Sequence, residues 1–204
     1  MEKILTRTDI VILASSHNPS IITPIWLYKE GLITSEPIHI IQNPGFSFLE
    51  YNNFTLTVDP ERLQIVAKNK KSEVLESIVN FTDKYVTLLS HIPYRALGIN
   101  FVWIKKNITQ EQIPNITIKP EIEEVVSSLL ANHSLYFGNI VYAEKEPYLL
   151  KVLIEQSQKP EHQIIYNFNF HHEISEKNID FIKRIVNEYI NYFRLSEEIS
   201  NKLY

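Results

Sequence analysis

Apolar and polar positions along this chain fall into short alternating runs and longer stretches of period three to four, the marks of strands and amphipathic helices. Asp9 to Ser15 reads as a first strand, with the apolar run Ile10 to Ala14 suited to burial. The turn-rich Ser16-His17-Asn18-Pro19 follows. Thr23 then has the chemistry of a helix cap, with Pro24 at the first helical position and Gly31 closing a short helix. Residues 35–45 show no period and are expected to be irregular.

From Phe46 to Lys68 the pattern predicts a three-stranded antiparallel meander. Phe46, Phe48 and Glu50 alternate with Ser47, Leu49 and Tyr51, and Asn52-Asn53 forms a two-residue turn for which Asn tolerates positive φ. Phe54, Leu56 and Val58 line one face of the next strand. Asp59-Pro60-Glu61-Arg62 suits a type I turn, and Leu63, Ile65 and Ala67 continue into the third strand. Ser72 is placed to cap a long helix that buries Val74, Ile78, Phe81, Tyr85 and Leu88 and ends by Pro93. Arg95 to Lys105 is a strand whose Leu97, Ile99, Phe101 and Trp103 share a face.

The order then recurs. After a loop at residues 107–117, Pro120 opens a helix, three strands follow at about 135–143, 148–156 and 163–172, and a last helix runs from about Glu176 with Ile182, Val186, Tyr189 and Phe193 on one side. The expectation is an α+β fold of two consecutive halves, residues 1–92 and 93–204. Each half is a strand, a helix, a three-strand meander and a long helix, and the two share one core. The parallel turn sequences Pro60-Glu61 and Pro160-Glu161 fit an internal duplication.

Composition narrows the chemistry. The chain of 204 residues is long enough to fold without cross-links, and it has no Cys, which removes thiol nucleophiles, thiolate metal sites and disulfides. A net charge of -4 argues against a wholly basic nucleic-acid coat. No run approaches the roughly 18 apolar residues of a membrane span, and the short apolar run behind Asp9 is too short for a signal-peptide core, so a cytoplasmic protein off the membrane is expected. The five Asn-x-Ser/Thr matches, at Asn53, Asn80, Asn107, Asn115 and Asn132, are read as chance in an Asn-rich chain. With four glycines, at 31, 45, 98 and 138, neither a phosphate-binding loop nor a dinucleotide fingerprint can be assembled.

No catalytic motif stands out. Ser15-Ser16-His17 lacks the geometry of a nucleophile and base, and four aspartates are too few for a convergent metal site. His171 and His172 are strand neighbours that point to opposite faces, which opposes a shared metal. If Tyr166, Phe168, Phe170 and His172 face the core, the polar face presents Lys151, Glu155, Asn167, Asn169 and His171, joined in the first half by Thr55, Thr57, Gln64 and Lys68. These faces lack the exposed aromatics of an RNA-reading sheet. Lys68, Lys70 and Lys71 precede the long helix and are the phosphate or nucleic-acid candidates.

The expectation is a non-catalytic interaction or assembly subunit of an intracellular multi-protein system, bacterial or phage, that associates with itself or a partner protein and carries no cofactor or metal. Tyr136, Phe137, Tyr142 and Tyr148 are the aromatics that would anchor an interface if they do not all fit one core, although core packing is the first expectation for them. Two alternatives stand beside it: a ligand-binding or enzymatic domain with a pocket between sheet and long helix, and a nucleic-acid-binding protein.

Overall fold

A computed structural model describes residues 2–108, 120–129, 138–157, 163–174 and 179–203. The turn at Pro160-Glu161, the aromatics Tyr136 and Phe137, the sequons at Asn115 and Asn132, and most of the 107–117 loop lie outside the described residues.

Among the described residues nine strands form a single antiparallel sheet: β1 (Lys3–Ala14), β2 (His39–Asn43), β3 (Phe46–Glu50), β4 (Phe54–Val58), β5 (Arg62–Ala67), β6 (Tyr94–Lys105), β7 (Gly138–Lys145), β8 (Tyr148–Gln156) and β9 (Ile164–Glu173). Their spatial order is β2-β3-β4-β5-β1-β6-β9-β8-β7. The long pair β1–β6 is central, with Ile10 opposite Ile99 and Asp9 opposite Asn100. Strands from before residue 93 extend the sheet on one side of this pair, and strands from after it extend the other. One hydrophobic cluster draws on both, from Leu49 and Leu56 to Phe168 and Tyr189. The α+β class with helices on an antiparallel sheet is therefore as the sequence implies.

Alternation decides what each strand buries. Ile10, Ile12, Leu63, Ile65, Leu97, Ile99, Phe101, Trp103, Tyr166, Phe168 and Phe170 all point to one face and are fully or almost fully buried. Helices α2 (Ser72–Leu88), α4 (Ile179–Asn187) and α5 (Tyr189–Lys202) belong to the same layer. Phe101 meets Phe170, Tyr189 and Phe193, with ring centroids 5.4 to 6.1 Å apart. Trp103 Nε1 donates to Ser196 Oγ at 3.0 Å, tying α5 to β6. Lys3 reaches the C-terminal end of α5, donating to the Glu197 carbonyl at 3.0 Å and to Asn201 Oδ1 at 2.6 Å, where the helix dipole favours a cation.

The remaining helices are α1 (Pro24–Lys29) and α3 (Pro120–Leu129). Thr23 caps α1 through its hydroxyl to the Trp26 amide, as its sequence implies. No helix among the described residues is long and apolar enough to cross a membrane.

Several local expectations change. The first meander has four strands, because residues 39–43 pair with β3 at the sheet edge. The first strand begins at Lys3, running through a register shift between Leu5 and Arg7. Lys71, not Ser72, is the N-cap residue of α2, and the Ser72 hydroxyl donates to Glu76 instead. Leu88 lies on the exposed side of the last turn of α2. The last helix is broken at Glu188, whose amide is shared between the carbonyls of Arg184 and Ile185. The Asn52-Asn53 turn joins the paired residues Tyr51 and Phe54 as expected, but neither Asn has positive φ.

Candidate binding site on the open face of the sheet

The helices α2, α4 and α5 cover one face, and the alternate residues of every strand form the other. Across the middle of this second face one row reads, strand to strand, Glu50, Thr55, Val66, Asp9, Asn100, Asn169, Lys151 and Tyr142. Val11, Leu13, Phe48, Val102, Ile104, Leu149, Leu153 and Ile165 share the face and are half-buried. Apolar side chains thus flank a polar seam.

The seam is organised around Asp9, whose side chain is only 2% exposed although it lies on the open side. Its Oδ2 accepts from Arg7 Nε at 2.7 Å. Its Oδ1 accepts from Asn100 Nδ2 at 2.8 Å and Gln64 Nε2 at 3.1 Å. A buried carboxylate needs such donors, since leaving it unpaired costs several kcal/mol. The amides it draws in are thereby fixed, with N–H groups inward and oxygens outward. Asn169 Nδ2 donates to the outward Asn100 Oδ1 at 2.6 Å, and the Arg62 guanidinium donates to the outward Gln64 Oε1. The chain of bonds runs Arg62, Gln64, Asp9, Asn100, Asn169 across four adjacent strands.

Above this network lies a cavity of about 280 Å³ lined by Arg7, Asp9, Val11, Arg62, Gln64, Asn100, Val102, Lys151, Leu153, Asn167, Phe168 and Asn169. Three cationic side chains surround it against one carboxylate. Lys151 makes no hydrogen bond or ion pair among the described residues and lies over the Tyr142 ring, 6.0 Å from its centroid.

Of the residues singled out in the sequence, Lys151, Asn167 and Asn169 meet in this cavity. Glu155 and His171 share the open face but lie outside the cavity lining, His171 beside Gly98 and Leu149. Lys68 is engaged elsewhere on the face, donating to Glu50 at 2.6 Å, a bond that holds the Glu50 carboxyl below its usual range. Lys70 and Lys71 stand at the start of α2 and do not join the cavity. Asp9, Arg7, Asn100 and Arg62 were not singled out. The signal for them was alternation: Arg7, Asp9 and Val11 share a parity on β1, and Asn100 interrupts an apolar strand. Aromatics do reach this face, contrary to expectation: Phe48 is half-buried there and Tyr142 is 60% exposed.

The two histidines of the covered face are structural in their surroundings. His17 is buried, and the Ile12 carbonyl at 3.4 Å can only accept, so Nε2 carries the proton and Nδ1 accepts from the Tyr85 hydroxyl at 2.9 Å. His172 is completely buried and donates from Nδ1 to the Pro147 carbonyl at 3.0 Å. Its Nε2 has no partner among the described residues, and the rings of Tyr148 and Tyr192 pack against it. Burial pushes its pKa down to about 4. No group of three or more potential metal-ligating side chains gathers among the described residues.

The fold and site together define an α+β protein whose antiparallel sheet, among the described residues, carries helices on one face and a cationic cavity at the centre of the other. No protein-family model matches the chain, and no curated protein matches it.

Proposed function

We propose that the protein is a non-catalytic interaction module that seats a partner protein on the open face of its sheet, as a subunit of a larger intracellular assembly. The observation that carries this reading is the one-sided layering. Eight strand spacings of about 4.8 Å make the face roughly 38 Å wide, a breadth suited to a macromolecule. Half-buried Val11, Phe48, Val102 and Leu153 alternate there with amides and charges, the mixture found at protein interfaces. Glu50, Glu155 and Glu173 stand on the same face, which favours a protein over the uniformly anionic backbone of a nucleic acid. The strand order read outward from β1–β6, with β5 and β4 on one side and β9 and β8 on the other, supports an origin by internal duplication as part of this reading.

The test is native mass spectrometry of the tagged protein recovered from its host, alongside Leu153→Glu. The expected result is a second polypeptide at fixed stoichiometry that is lost from the variant while its circular dichroism is unchanged. A lone monomer, a partner retained by the variant, or bound nucleic acid released by salt would each overturn the proposal.

A further inference from the structure

We infer that the cavity over Asp9 is a carboxylate-binding site, and that its occupant is an acidic side chain of the partner protein. This rests on the interaction-module reading above. Arg7, Arg62 and Lys151 place three positive charges around the cavity while Asp9 supplies one negative charge, in a chain whose net charge is -4. Asp9 is ion-paired with Arg7 and also accepts from Gln64 and Asn100, so Arg62 and Lys151 are the two cations it leaves unbalanced. The network leaves cationic donors toward the cavity at Lys151 and Arg62. Lys151 has all three N–H groups unengaged by hydrogen bonds among the described residues, and the Arg62 guanidinium, bonded only to Gln64 there, keeps N–H groups to spare. The Arg62 guanidinium, held by its bond to Gln64, loses less freedom on binding an anion than an untethered side chain would.

Size and setting select the source. At about 280 Å³ the cavity falls just under the roughly 300–1,000 Å³ of small-molecule clefts, and suits a side chain with a water or two. It lies within the face assigned to the partner, bordered by half-buried Val11, Val102 and Leu153. A partner seated on these would close the cavity and strip water from the ion pair, which strengthens it.

The experiment is a ¹H–¹⁵N titration of the full chain that follows the side-chain amides of Asn100 and Asn169. The probes are N-acetylglutamic acid α-amide, its glutamine counterpart and inorganic phosphate. Saturable shifts are expected with the carboxylate probe alone, weakened about tenfold or more by Arg62→Gln with Lys151→Gln, as loss of a charge-assisted hydrogen bond requires. Glu155→Gln, on the same face outside the cavity, should leave them unchanged. Absence of saturable shifts, equal shifts with the glutamine probe, or shifts indifferent to the double variant would overturn the inference. Phosphate binding a hundredfold tighter than the carboxylate probe would overturn it in favour of a free anion. Carboxylate binding as expected, in a chain that recovers no protein from its host, would overturn the assigned source while locating the fault in the interaction reading.

Discussion

Thr8 and Asp9 are neighbours on β1 and face opposite worlds. Thr8 points under the helices, where its hydroxyl donates to the Asn100 carbonyl at 3.0 Å and meets the Tyr189 hydroxyl. Asp9 points to the open side, into a chain of amides and guanidinium groups. Beneath the helices, polar groups are few, and most close their bonds locally among packed rings. On the open face the bonds are passed from strand to strand, from the Arg62 guanidinium at one end to the Asn169 amide at the other. The first arrangement stabilises a core. The second links four strands through polar groups that border a cavity.

The largest expected effect comes from the centre of the open face. Asp9→Ala leaves the donors of Arg7, Gln64 and Asn100 without their shared acceptor, and should lower stability by about 3 kcal/mol in urea unfolding. A loss below about 1 kcal/mol would mean that Asp9 does not organise the seam.

Acid sharpens the comparison from the covered side. His172 is held neutral in the folded protein, with its pKa down to about 4, and burial lowers His17 in the same direction. The unfolded chain binds protons first, so stability is complete above about pH 6.5 and falls as pH drops toward 4, by up to about 1.4 kcal/mol per unit for His172. Between pH 7 and 5 the loss should reach about 2 kcal/mol, and His172→Gln should flatten that part of the slope. An unchanged slope in the variant would show that the ring titrates in the folded state near its ordinary pKa.

Tyr189→Phe removes a hydroxyl from Thr8, which keeps its bond to the Asn100 carbonyl, so the expected loss is about 1 kcal/mol by thermal unfolding. Smallest of all, Lys151→Gln should change stability by less than about 0.5 kcal/mol, because its charge has no ion-pair partner among the described residues to lose. A cost well above 1 kcal/mol there would place Lys151 in the scaffold rather than at a binding surface.

Much of this was legible in the chain. Phe54, Leu56, Val58, Leu63 and Ile65 face the core as their alternation requires, as do Tyr166, Phe168 and Phe170. Asn167, Asn169 and Lys151 were legible as one polar face by the same rule. The edge strand β2 was not: all five of its residues are exposed, so burial imposes no alternation on His39-Ile40-Ile41-Gln42-Asn43. The break at Glu188 left no mark either, because the apolar stripe of α4 continues into Tyr189 and Tyr192 on α5.

By itself the sequence determined which side chains each strand turns inward, since a period of two is a property of the extended backbone. It also determined where the long helix α2 lies and that no thiol chemistry is present. Only the tertiary structure decided that β1 and β6 pair at the centre of one sheet, and that decision made the site. Asp9 finds its acceptor role with Gln64, 55 residues away, and with Asn100, 91 residues away. Spacings of that size carry no local period, so cross-strand register alone turns one carboxylate, two amides and three cations into a single cavity.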